Sequence, residues 1–85
     1  VMTIKENLTE RQIGERYFLY TPDNGSCVYI MNETSYKIYS FIKEGKNISE
    51  IIDKLFDEFD VDKKELETDI NECIKDMINA GVVIQ

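Results

Sequence analysis

Histidine and tryptophan are absent from this 85-residue sequence, and proline occurs once. Without histidine, no side chain changes charge near neutral pH at its ordinary pKa, so the usual general base is missing. The two cysteines, Cys27 and Cys73, stand far apart and form no CxxC pair. A structural zinc site takes four Cys or His ligands, which this chain alone does not supply. Both thiols are expected to be reduced. The four glycines, Gly14, Gly25, Gly45 and Gly81, are isolated from one another, which excludes a glycine-rich phosphate loop. No apolar run approaches the roughly 20 residues of a membrane-spanning helix. Residues 1–12 lack the apolar segment of a signal peptide. These absences predict a cytoplasmic protein without a cofactor or metal, with Val1 preceding a natural start at Met2.

What is present suits one small folded domain over residues 1–85. An apolar content of 42% against 32% charged residues separates it from disordered chains. A chain this short buries only about two-thirds of its unfolded surface, which favours a surface groove over a deep catalytic cavity. The balance is acidic, 17 Asp and Glu against 10 Lys and Arg. A net charge of −7 opposes nucleic acid and anionic membranes and favours a basic partner. It also serves solubility alone.

Turn and period signals give the element order. Thr21-Pro-Asp-Asn-Gly-Ser26 is a dense turn, with Asn24-Gly25 tolerating positive φ. Flanking it, residues 16–20 and 27–31 read as a hairpin, and Gln12-Ile13 before Gly14 as a short preceding strand. Asn32 then caps a helix carrying Ile38, Phe41 and Ile42 on one face, with Tyr39 beside them, which ends at Gly45. Asn47 with Glu50 starts a second helix, whose inner stripe is Ile51, Ile52, Leu55 and Phe59. Asp62 with Glu65 starts a third, with Leu66, Ile70, Cys73, Ile74, Met77 and Ile78 on its apolar face and Gly81 as its stop. Val82 to Ile84 fit a short final strand. Strands and helices are segregated, which argues for an α+β fold. Specifically, the order predicts a winged helix-turn-helix with a three-stranded N-terminal antiparallel sheet followed by three helices.

The residues argue against two function classes. Asp57-Glu58 and the pair Asp60 and Asp62 lie near helix ends, where nothing suggests acid–base geometry. Between residues 62 and 76, six acidic residues face three lysines and no arginine. A helix of net −3 is repelled by phosphates and has no guanine reader, so DNA recognition is disfavoured despite the fold class. Phe18, Phe41 and Phe59 are expected in the core. The five tyrosines are expected as half-buried packing or as groove walls.

Residues 25–45 carry a further pattern. Gly25-Ser-Cys-Val-Tyr-Ile-Met-Asn-Glu-Thr34, then Ile38-Tyr39, Phe41-Ile42 and Gly45, resembles the PqqD-like family. That family runs Gly, a hydrophobic strand, Leu-Asn-x-Thr, and a helix with Ile-Trp closed by Gly. Ile48 and Ile51 match its second helix, and Asp69, Ile70, Ile74, Met77 and Gly81-Val82 its third. The likeness spans about residues 11–84, with Met31 in place of the usual Leu and Tyr39 where Trp is common. Single motifs here are weak, but their order and spacing together are fairly specific.

The resemblance implies a recognition element for ribosomally made, post-translationally modified peptides, without catalysis of its own. In that family the leader segment of a precursor adds as a strand beside the third strand and lies against the third helix. Such domains stand alone, as in lasso-peptide machinery with a separate leader protease, or are fused to enzymes such as radical-SAM catalysts. The implied peptide-binding residues are Cys27, Val28, Tyr29, Ile30 and Met31 on the strand, with Leu66, Asp69, Ile70, Glu72, Cys73, Asp76 and Met77 on the helix. The implied partners are the leader and a maturation enzyme such as a leader protease or radical-SAM enzyme, with no nucleic acid and no membrane. The alternative is an acidic winged-helix adaptor or, further off, a transcription regulator.

Overall fold

A computed structural model describes residues 2–85, and Val1 lies outside them. Three strands, β2 (Thr9–Ile13), β3 (Arg16–Tyr20) and β4 (Cys27–Met31), form an antiparallel sheet in that order. A shorter strand β1 (Thr3–Ile4) precedes them and pairs with β5 (Val83–Ile84) at the opposite end of the chain. Three helices lie between: α1 (Glu33–Lys43), α2 (Ile48–Glu58) and α3 (Lys63–Asn79).

Local chemistry accounts for these boundaries. The β2–β3 turn has two central residues, and only the first, Gly14, has positive φ (60°), the signature of a type II′ hairpin turn. In the β3–β4 turn, Asn24 Oδ1 accepts from Thr21 Oγ1 (2.9 Å) and from the Ser26 amide (3.1 Å). Asn32 and Asn47 both make complete capping boxes, the first with Ser35 and the second with Glu50. Asp62 accepts from the Glu65 amide at 3.0 Å and so caps α3. Gly45, at φ 88°, closes α1 with its amide on the Ile42 carbonyl.

Alternation decides which sheet face is covered. Leu19 is fully buried, and its register partners Glu10 and Tyr29 share its face. That inner face, with Met31 at 1% exposure, packs on Ile38, Tyr39 and Ile42 of α1. Ile51, Ile52 and Leu55 of α2 and Leu66, Ile70, Ile74 and Met77 of α3 complete the core. Tyr17 stacks on Tyr36 with ring centroids 3.8 Å apart, fixing β3 to α1.

Two expectations need correction. Phe18 is not in the core. It alternates with Leu19, so it faces away from the helices and stacks on Tyr20, with centroids 6.5 Å apart. Phe59 stands just past α2 as its C-cap and is half-buried rather than buried, packed against the core with Lys37 over its ring at 5.3 Å. The strand β1 had no signal in its two residues, because its pairing with β5 is purely long-range.

Candidate functional site: the β4 edge and α3

Strand order leaves one side of β4 without a partner, so its free N–H and C=O groups form an edge able to pair with an extended segment. That edge lies beside α3. Tyr29 links the two, since its hydroxyl is close enough to Cys73 and Asp76 of α3 for both to raise its pKa. Burial pushes Tyr29 up to about 12, with the negative charges at Cys73 and Asp76 adding to it. Burial likewise pushes the Cys73 thiol up to about 11. Both groups are therefore neutral at pH 7, an uncharged phenol beside an uncharged thiol rather than a reactive thiolate.

The expected site residues divide by depth. Met31, Ile70 and Met77 are at most 1% exposed, and Leu66 is 7% exposed. Their side chains belong to the core beneath the strand and helix. Val28, Tyr29 and Cys73 are half-buried, and Cys27 is exposed with its thiol directed to the Tyr29 carbonyl. Ile30 pairs with Phe18, so its side chain, 52% exposed, stands on the opposite sheet face and only its backbone belongs to the edge. Asp69, Glu72 and Asp76 are all exposed.

Asp69 and Asp76 do not act at one point. Asp76 sits by Tyr29, whereas Asp69 lines a separate open hollow of about 280 Å³ with Thr34, Phe59, Val61, Glu65 and Leu66. This hollow lies where β4 runs into α1, and it adds Thr34, Phe59, Val61 and Glu65 to the residues expected from sequence. Only tertiary packing of the α2–α3 connection against α1 assembles it, so no sequence spacing announces it. A bulge between Leu19 and Tyr20 shifts the β3–β4 register, which explains the poor apolar alternation of β4.

Glu10 on β2 was also missed. Its carboxylate accepts from Tyr36 (2.8 Å), Tyr39 (3.2 Å) and Lys43 (2.7 Å), tying the sheet to α1. Burial pushes its carboxyl up, but these three hydrogen bonds outweigh burial and leave it below its ordinary value. Tyr39 stands where the resemblance has Trp, and its buried hydroxyl needs such an acceptor. Among the described residues no group of three or more His, Cys, Asp or Glu is placed to hold a metal ion.

Fold and edge define a class: a small α+β winged-helix domain whose sheet ends in an open strand beside a long helix. The family model for coenzyme PQQ synthesis protein D, PqqD, matches residues 16–83, and the chain belongs to that family. Two solved structures share the fold. One is TbiB1 in complex with the TbiA(beta) leader peptide, at a TM-score of 0.80 and 22% identity, covering 95% of this chain and 93% of that one. The other is a lasso peptide synthetase B1 complexed with the leader peptide, at 0.84 and 17% identity, covering 99% and 98%. A search of the curated proteins matched none.

Proposed function

We propose that this protein binds the leader segment of a ribosomally made precursor peptide as an added strand on β4 and presents it to a maturation enzyme, without catalysis of its own. The observation that carries the reading is the unpaired β4 edge held beside α3 across the Tyr29–Cys73 contact. Main-chain pairing supplies generic affinity there, and side-chain pockets supply selection. Family membership supports it, and both similar structures are complexes with leader peptides. The exposed carboxylates of α3 favour a leader carrying Lys or Arg. No helix among the described residues is long and apolar enough to cross a membrane. We place the function in the cytoplasm, where a ribosomal precursor is made. The test is an NMR titration of the labelled protein with the precursor encoded nearest to it. Amide shifts concentrated at residues 27–31 and along 66–77 support the reading. Shifts confined to β2, or none at all, refute it.

A further inference from the structure

The sheet has a second face that none of the described residues outside the sheet covers. Alternation and register place Arg11, Ile13, Arg16, Phe18, Tyr20 and Ile30 there, opposite buried Leu19. Ile13 and Ile30 are 57% and 52% exposed, and Phe18 and Tyr20 cover one another only in part. These side chains lie together on one face rather than scattered, so a single partner could cover them.

Charge marks this face as distinct. The sequence holds two arginines in all, Arg11 and Arg16, and both lie here, in a chain of net charge −7. Neither is in an ion pair among the described residues, whereas Lys37, Lys43 and Lys63 each have a carboxylate partner. Each arginine follows a carboxylate in sequence: Glu10, before Arg11, is turned to the inner face and bonded to Lys43, and Glu15, before Arg16, lies in the turn between β2 and β3. The face thus offers an apolar strip with two free guanidiniums, which matches an apolar strip bordered by carboxylates.

Size narrows the occupant. Three strands about 4.8 Å apart and about 17 Å long present roughly 250 Å². A stable binary interface needs about 800 Å² per partner, so this face cannot by itself hold a second copy of the chain. It suits a partner that is already tethered, for which an effective concentration in the millimolar range replaces area. The leader on the β4 edge provides such a tether, because the edge and this face do not overlap.

We infer that the outer sheet face, centred on Phe18 between Arg11 and Arg16, docks the enzyme that processes the bound precursor, through an apolar patch rimmed by Asp or Glu on that enzyme. The inference rests on the leader-binding reading. Its probes are the precursor peptide and the peptide-processing enzyme encoded beside this protein. Arg11→Glu/Arg16→Glu, and separately Ile13→Ser, change only exposed side chains, and thermal melting checks their folding. Both variants are expected to bind precursor within twofold of the parent. Both are expected to lower processing of the saturated complex, by tenfold or more for the charge reversal. The charge reversal also removes the salt sensitivity of processing that the parent shows. If the parent binds precursor and both variants are processed at its rate, this inference is overturned and leader binding stands. A parent that fails to bind precursor overturns both. Sedimentation showing a concentration-dependent dimer that either variant abolishes assigns the face to a second copy and also overturns it.

Discussion

Replacing Glu10 with Ala should destabilise this domain more than its half-exposed position on β2 suggests. Of the three donors to Glu10, Tyr36 is part-buried and can turn to water, so the loss rests on the other two. The Tyr39 side chain is 1% exposed, and its hydroxyl keeps no acceptor once the carboxylate is gone. A buried polar group left unpaired costs about 1–3 kcal/mol. The Lys43 pair is half-exposed and adds about 0.2–1 kcal/mol. Together they amount to about 1–4 kcal/mol, which for a domain of this size lowers Tm by roughly 5–30 °C. Tyr39→Phe removes the hydroxyl along with its bond and should cost about 1 kcal/mol. In the double variant the buried Tyr39 hydroxyl is no longer orphaned, while the part-buried Tyr36 hydroxyl loses the same acceptor in both Glu10 variants, so the double cost should fall short of the summed single costs by about 1 kcal/mol or more. Urea denaturation of the four proteins, followed by circular dichroism, measures this coupling. Additivity within about 0.3–0.5 kcal/mol would mean that Glu10 and Tyr39 act independently, and would refute the reasoning.

Three other outcomes are expected. Because the folded-state pKa of Glu10 lies below its ordinary value of 4.5, its contribution is full above that pH and is lost as pH falls through the lower value. Melting from pH 6 to pH 2 should therefore show a smaller acid loss in Glu10→Gln than in the parent. Cys73, near 11, carries about 100-fold less thiolate at pH 8 than a thiol at 9, and greater nucleophilicity restores about tenfold of that. Mass spectrometry of alkylated protein should find exposed Cys27 modified first and Cys73 at least tenfold slower than an ordinary thiol, with bound leader slowing Cys73 further. Asp69→Lys, Glu72→Lys or Asp76→Lys should weaken binding of a basic leader by up to about fivefold at low salt and less at high salt, as exposed pairs do. Equal affinities at low salt would assign selection to the apolar pockets alone.

The parts legible in the sequence were those governed by local chemistry. Asn32, Asn47 and Asp62 mark the helix starts because a cap satisfies amides within three residues of itself. The bounds of β3 and β4 follow from one turn between two apolar runs. What was not legible depends on distant partners. The two residues of β1 are a strand only because β5 returns beside them. Phe18 looks like core by type, and only its alternation with Leu19 sends it outward. The site was half readable. The edge strand and acidic helix are visible in sequence, but the burial of Met31, Ile70 and Met77 and the hollow beside Asp69 arise from how three helices close on one sheet face.

The most direct test of the account is amide hydrogen exchange of the protein with and without its precursor's leader. Strand addition gives the outward amides of Cys27–Met31 new carbonyl partners, so their exchange should slow at least tenfold, with β2 unchanged. Protection confined to the helices, with Cys27–Met31 exchanging as in the free protein, would contradict it.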